Sequence, residues 1–368
     1  MVEKIMLSSN TLYSLYNFRY NLLEKLKEKG YEVVCLGEND EFKKRLEDRG
    51  FRTINLEINK RGTNPFGDLS LLMEFIKIYR KEKPDCIFHY TIKPNIYGTI
   101  AAKILRIPTV NNVTGLGYMF GKKSLTNIIV KILYKIAFKF PEKVFFQNED
   151  DMKLFLENKL IERKICGRLP GSGIDLEKFK PTEKVKKNEK VIFLFLGRIV
   201  DNKGVRILNE VSKEIFKKYK NVEFRLFGKI NKEERGYVSE EEMKSWENKS
   251  NIKYCGNSKD VREQIQDSDC IILPSYYREG VPHSLLESAA MGKPIITTNN
   301  VGCKDIVEHG YNGFLSEIKD VQGMVKNIEK FLKLSNEEKG KLGINGRRKG
   351  EKEFDVNIVV NRYLETIK

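Results

Sequence analysis

Histidine, tryptophan and cysteine are scarce: the 368 residues include 3 histidines, 1 tryptophan and 6 cysteines. The cysteines (Cys35, Cys86, Cys166, Cys255, Cys270, Cys303) are widely spaced and form no C-x-x-C pair. With so few histidines, this argues against a zinc site. Four of the thiols lie in or beside apolar, strand-like runs, where free cysteine behaves as a small buried hydrophobe, so the thiols read as structural. Long apolar runs are missing as well. The nearest, residues 128–140, is interrupted by Lys131, Lys135 and Lys139, which excludes it as a transmembrane helix. The opening MVEKIMLSSN has too short an apolar run for a secretory leader, and polar residues follow it. The expectation is a chain that stays in the cytoplasm.

Acidic residues are also in deficit, 51 against 67 lysines and arginines, for a net charge of +16. Such a balance fits nucleic acid, an anionic membrane surface or a phosphorylated substrate as partner. Lysines spread over solvated helix faces account for part of it. What is present in quantity is ordinary for a soluble globular protein: 40% hydrophobic and 32% charged residues, in a length sufficient for two domains.

The first half alternates short β-branched runs with amphipathic segments. Strands are expected at 4–9, 31–36, 51–58, 86–91, 109–113 and 143–147, and helices at 13–29, 41–49, 69–83, 96–105, 125–140 and 150–158. A second series follows a polar, lysine-rich stretch, with strands at 191–196, 222–227, 252–255, 270–273, 295–298 and 313–315 and an amphipathic helix at 355–368. Repeated strand–helix alternation predicts two α/β domains with parallel, doubly wound sheets. The expected boundaries are 1–172, a linker 173–190, 191–350 and a last helix 351–368. Ligands of such sheets bind beyond the carboxyl ends of the strands, and two sheets facing a cleft give the usual place for one.

Residues 269–317 concentrate the chemistry. The apolar run Cys270–Leu273 stops at Pro274, a loop follows, and Ser284-Leu285-Leu286-Glu287 reads as a capping box opening a helix that Gly292 and Pro294 end. Exposed amides at a helix start make an anion site, and Glu279 and Glu287 can accept hydrogen bonds from sugar or ribose hydroxyls. The loop Gly197-Arg198-Ile199-Val200-Asp201-Asn202-Lys203-Gly204 closes an earlier strand, which puts Arg198 and Lys203 at the same sheet edge. An arginine fork and a mobile lysine charge both suit phosphate oxygens.

At this point the residues form a known pattern. Glu279 and Glu287, with Gly280, Pro282 and Gly292, resemble the E-x7-E motif of glycosyltransferase family 4. Gly197-Arg198 with Lys203-Gly204 resembles its diphosphate-binding pair, and Pro170–Asp175 with Phe179 and Pro181 its interdomain signature. Val301-Gly302-Cys303 and Asn312-Gly313-Phe314 complete the series in order. The resemblance implies a GT-B fold, two Rossmann-like domains facing a cleft, with the C-terminal helix returning to the first. It also implies a retaining, metal-independent mechanism without cofactors. Glu279 would then contact the donor sugar, Glu287 would hold the ribose, and Arg198 and Lys203 would neutralise the leaving diphosphate. The donor set also takes in Gly197, Gly280, Val281, Pro282, His283, Ser284, Leu285, Lys229 and Asn257. The paired carboxylates are therefore not a glycosidase acid and nucleophile.

In the first half, His89–Gly98 and Asn112–Phe120 each leave a strand and resemble members that build on undecaprenyl-diphosphate-linked sugars, N-acetylgalactosaminyltransferases among them. Lys93, Asn95, Thr114, Gly115 and Gly117 would face that acceptor, and a UDP-sugar would be the donor. Two stretches differ from many members: Ser8-Ser9-Asn10-Thr11 replaces a glycine pair, and Thr114 replaces a histidine. Lys131, Lys135 and Lys139 fall on one face of a helix whose apolar surface comes from Ile128, Ile129, Ile132, Leu133 and Ile136. That helix either packs on the sheet with a solvated face, or lies at an anionic membrane surface and holds lipid or lipid diphosphate. The second reading is preferred, because a lipid-linked acceptor needs such a surface.

Two decoys fail. Gly115-x-Gly117-x-x-x-Gly121 is one residue too long for a dinucleotide fingerprint, and no acidic residue follows at the ribose distance. Asp267-Ser268-Asp269 mimics a metal-binding D-x-D but precedes its strand instead of following it. A nucleotide-sugar epimerase would lack the acceptor-side pattern. A nucleic-acid module would show aromatics interleaved with basic residues on one face, whereas the lysines here are scattered over many helices.

Overall fold

The computed structural model describes residues 2–58, 65–117, 124–182, 190–247, 250–258 and 260–367. The chain divides into two compact units, Met1–Gly173 with Val356–Lys368, and Ile174–Asp355.

The first unit holds β1 (Lys4–Thr11), β2 (Glu32–Glu38), β3 (Arg52–Asn55), β4 (Cys86–Tyr90), β5 (Thr109–Val113), β6 (Lys143–Phe146) and β7 (Cys166–Arg168). All pair in parallel, in the order β3-β2-β1-β4-β5-β6-β7. The second unit holds β8 (Val191–Leu196), β9 (Val222–Phe227), β10 (Ile252–Tyr254), β11 (Cys270–Leu273), β12 (Ile295–Thr298) and β13 (Gly313–Ser316). These too are parallel, in the order β10-β9-β8-β11-β12-β13. Both sheets share the doubly wound order, with the chain reversing direction between β1 and β4 and between β8 and β11. Helices cover both faces of such a sheet, so its inner strands read as unbroken apolar runs. IFLFL of β8 and CIIL of β11 are buried throughout.

Twelve strands stand where the residue pattern predicts them. β7 is the exception, because Cys-Gly-Arg carries no β-branched signal. It pairs with β6, and Gly167 allows this closeness: a Cβ there would lie 2.8 Å from the Phe145 ring. The helix expected at 96–105 begins earlier, as a π-helical turn over Pro94–Gly98 that runs into Thr99–Ile104.

Residues 174–180 are tied into the second unit. The Ile174 N–H donates to Phe354 O at 2.8 Å, and Arg347 Nη1 donates to the carbonyls of Leu176, Phe179 and Ala290. Helix Asn336–Glu353 runs continuously through position 350. The last helix, Val356–Leu364, packs in the first unit. Its Tyr363 ring lies 5.0 Å from Phe88 and 5.2 Å from Phe145, and its hydroxyl accepts from Asn112 Nδ2 at 2.9 Å. Among the described residues, no helix is long and apolar enough to cross a membrane.

Candidate active site

In the second unit, the loops after β8 and β11 meet at the point where the winding reverses. Two glycines permit close packing here, Gly204 between these two loops and Gly302, after β12, against the loop after β11. Gly204 has φ +82° and a Cβ there would lie 2.0 Å from Pro274 O. Gly302 has φ +84°, and its Cβ would lie 2.4 Å from Gly280 O and 3.0 Å from Glu279 Cβ. No other residue satisfies both the left-handed backbone and the missing volume. Hydrogen bonds lock the same contact. Asn202 O accepts the N–H groups of Tyr276 and Tyr277 at 3.1 Å. Thr298 and Asn300, at the end of β12, donate to the carbonyl of Ser275, and Asn300 also to that of Tyr277.

This frame brings Lys203 Nζ to 2.5 Å from Glu279 Oε1, with both side chains largely buried. Ser275 Oγ donates to the same oxygen at 3.0 Å. Cys303 packs beneath, and burial, with the Glu279 charge adding to it, pushes its thiol up to about 12. Arg198, half-exposed, pairs with Glu234. Each cation of the loop after β8 thus has a carboxylate partner. Lys229 and Asn257 are exposed, on the loops after β9 and β10; the Ile199 N–H donates to Lys229 O at 3.2 Å. Gly197 sits at the end of β8, its N–H on Phe227 O at 3.1 Å.

The expected capping box at Ser284 is not formed. Pro282, in extended conformation, takes the cap position, so the helix starts at His283 and no side chain caps it. Ser284 falls inside the first turn, where its carbonyl accepts from Ser288 Oγ at 2.6 Å. Glu287 lies one turn along and pairs with His283, whose Nδ1 is 3.0 Å from Glu287 Oε1. At this distance Nδ1–H donates to the carboxylate. Gly280, Val281, Pro282 and Leu285 form the buried entry to this helix. Its C-terminus closes as expected, with the N–H groups of Gly292 and Lys293 on the carbonyls of Ala289 and Ser288.

Asp269 accepts the Ile192 N–H at 2.8 Å and donates its own N–H to Ile192 O, at the start of β8. The D-x-D mimic therefore belongs to the opposite sheet edge from Glu279.

The first unit carries its candidates after β4 and β5. Lys93 Nζ is 2.7 Å from Asp68 Oδ1, both largely buried. Tyr97 is raised by burial and by its hydrogen bond to Asp68. Asn95 is buried, its amide donating to Asn112 O at 2.8 Å. Thr114 is half-buried between β5 and the positive-φ glycines Gly115 and Gly117. Tyr118, Met119, Phe120 and Gly121 lie outside the described residues. Lys131 donates to Asn158 Oδ1 at 3.1 Å, while Lys135 and Lys139 are exposed. The structure thus gathers Arg198, Lys203, Glu279 and Glu287 on one sheet edge of one unit, and Lys93, Asn95 and Thr114 on an edge of the other.

Sequence reasoning missed Ser275, Glu234 and Asp68. Ser275, directly after the strand-ending proline and four residues before Glu279, carried a positional signal. Glu234 and Asp68 are remote in sequence from their partners and carried none.

Two doubly wound α/β units with parallel sheets are the GT-B architecture found among glycosyltransferases. The comparisons agree: residues 177–349 match the glycosyl transferases group 1 family and residues 4–148 the glycosyl transferase 4-like family. The chain belongs to this glycosyltransferase family. It is 30% identical to a Campylobacter jejuni N,N'-diacetylbacillosaminyl-diphospho-undecaprenol alpha-1,3-N-acetylgalactosaminyltransferase, over 96% of this chain and 95% of that protein. It is 25% identical to an Escherichia coli UDP-Gal:alpha-D-GlcNAc-diphosphoundecaprenol alpha-1,3-galactosyltransferase, over 71% of this chain and 70% of the other. The crystal structure of Anabaena HepE with UDP and glucose shares the fold, with a TM-score of 0.82, 20% identity, and coverage of 100% of this chain and 99% of that one.

Proposed function

We propose that the protein is a retaining, metal-independent hexosyltransferase. It moves a sugar, an N-acetylhexosamine such as N-acetylgalactosamine, from a UDP-sugar to an undecaprenyl-diphosphate-linked saccharide in surface-glycan assembly. The observation that carries this reading is the Lys203–Glu279 pair, held between the loops after β8 and β11 with Arg198 on the same loop as Lys203. The Campylobacter relative named above supplies the class of donor sugar and acceptor.

In this reading Arg198 and Lys203 turn from their carboxylate partners to the diphosphate and offset the charge that develops as the C1–O bond to phosphate breaks. An acceptor hydroxyl oxygen forms the new bond to C1 on the same face, and its proton passes to an oxygen of the departing diphosphate. Glu279 accepts hydrogen bonds from the sugar hydroxyls and Glu287 from the ribose. Positioning and charge stabilisation then supply the rate, with no covalent enzyme intermediate.

The test is turnover of purified protein with UDP-N-acetylhexosamines and a polyprenyl-diphosphate saccharide, with the anomer of the product read by NMR. The expected result is an anomer unchanged from the donor, activity that persists with EDTA, and near-complete loss in Glu279→Ala. Equal turnover in wild type and Glu279→Ala sinks the donor-site assignment, and an inverted product sinks the mechanism.

A further inference from the structure

Helix Leu125–Ala137 presents the wrong side to solvent for a packed helix. Val130, Tyr134 and Ala137 face the core of the first unit. Leu125, Ile128, Ile129, Ile132 and Ile136 face outward, with Leu125 74%, Ile128 52% and Ile132 54% exposed. At 100° per residue these five side chains form one continuous ridge along the helix, not a scatter of single exposed residues. A ridge of this length is unusual on a soluble surface and marks an interaction site.

Charge indicates what covers it. Residues 124–141 contain Lys131, Lys135 and Lys139 and no acidic residue. The three lysines lie along one flank of the ridge, and Lys135 and Lys139 pair with no carboxylate among the described residues. Lys103 sits 5.4 Å over the ring of the exposed Phe140, which carries the basic flank past the end of the helix. An apolar ridge with basic residues beside it matches a bilayer whose head groups are anionic and whose acyl chains begin a few ångströms deeper. A protein partner would need an apolar groove with an acidic rim.

We infer that helix Leu125–Ala137 docks the enzyme on an anionic bilayer, the isoleucine ridge entering the acyl boundary and the lysines contacting head groups. The inference rests on the proposed function in one respect, that a lipid-linked acceptor gives the enzyme reason to sit at a membrane. It differs from holding a lipid diphosphate, because the ridge isoleucines bind no acceptor atom.

The experiment is flotation of the full chain with vesicles of phosphatidylethanolamine and phosphatidylglycerol, against phosphatidylcholine alone. Wild type is expected to float with the anionic vesicles and not with the neutral ones. Ile128→Asp with Ile132→Asp should lower vesicle affinity at least about tenfold while keeping wild-type turnover on a short-chain, water-soluble prenyl-diphosphate saccharide. Ile128→Ser with Ile132→Ser should lower affinity less, and a thermal melt of both variants checks the fold. Unchanged flotation of the Asp variant overturns the proposal. So does equal binding of wild type to neutral vesicles. A wild-type dimer in sedimentation that does not float, and that the Asp variant splits, overturns it in favour of a second copy of this chain. Loss of turnover on the soluble acceptor in wild type would count against the proposed function and leave the flotation result to decide the inference alone.

Discussion

Among the described residues, each unit of this protein holds a largely buried lysine–carboxylate pair next to the carboxyl end of a central strand, and the two pairs are built differently. Lys203–Glu279, at 2.5 Å, joins the loops that leave β8 and β11, the two strands on either side of the reversal. Lys93–Asp68, at 2.7 Å, joins the loop after β4 to helix Pro65–Glu82. The first pair is framed by close-packed glycine loops and by Ser275, with a second basic side chain, Arg198, on the same loop. The second stands above a neutral buried network: His89 between Tyr79 and Thr99, and Asn111 and Asn95 bridging to neighbouring backbone. One fold therefore supports an edge that concentrates charge and an edge that buries uncharged polar groups. In the proposed function the first edge would take the diphosphate and the second the acceptor saccharide.

The largest expected effect sets the two lysines against each other. Lys203→Met should lower kcat/KM by about a hundredfold to a thousandfold, equivalent to about 2.7–4 kcal/mol, as removal of one preorganised charge-stabilising group does. UDP affinity, read by calorimetry, should fall with it. Lys93→Met should leave UDP affinity intact and raise the KM for the acceptor. Equal loss of UDP affinity in both variants would erase the distinction between the two edges. In stability the pairs should behave alike: removing one partner leaves a buried charge and costs more than removing both.

Next in size is Gly302→Ala, expected to cost about 2 kcal/mol of stability from the positive φ and the 2.4 Å approach to Gly280 O. Because the strain falls on the Glu279–Gly280 loop, kcat should drop while the melting temperature falls by only a few degrees. Gly310→Ala has the same sign of φ, +81°, but open space around it, and serves as the control. Its melting temperature should fall less and its kcat should not move.

The contrast between the edges also accounts for what the residues revealed in advance. Both doubly wound sheets were legible because buried parallel strands leave apolar runs such as IFLFL and CIIL, and the loops of the second unit because glycines punctuate them, with Gly204 and Gly302 at close backbone approaches. Glu279 and Lys203 follow from those loops. Local pattern could not supply pairings between distant segments: Asp68 with Lys93 and Glu234 with Arg198 depend on tertiary folding alone. The helix start after Pro282 was misread because Ser284 and Glu287 satisfy the capping-box spacing, while the proline two residues earlier fixes a backbone that starts the turn sooner. β7 escaped notice because Cys-Gly-Arg carries no β-branched signal and the strand is recognisable only by its pairing with β6.

A third test addresses the neutral network. His89 is fully buried, and burial lowers its pKa to about 3, against 6.5 when unfolded. Between those values the unfolded chain binds the extra proton. Stability from this group is therefore fully present above about pH 6.5 and lost as pH falls toward 3, at up to about 1.4 kcal/mol per pH unit. In urea unfolding of wild type against His89→Gln, the wild-type curve should be the steeper between pH 4 and 6. Parallel slopes would mean that the imidazole takes up its proton in the folded state as readily as in the unfolded chain, and that burial does not hold it neutral.

The smallest effect concerns His283, and it decides what Glu287 is for. With no capping box at Ser284, nothing in the helix start requires a glutamate at 287; Glu287 pairs instead with His283 Nδ1 at 3.0 Å. A histidine that donates to a carboxylate from the same helix face fixes its rotamer and leaves the other oxygen for a ligand hydroxyl. His283→Ala should therefore raise the KM for the UDP-sugar a few-fold, about 1 kcal/mol or less, with kcat little changed. Glu287→Gln should cost more, because the amide accepts at a single oxygen. If the two variants instead lose melting temperature together and leave KM untouched, the pair only staples the first turns of its helix, and the ribose contact must come from elsewhere on the same edge.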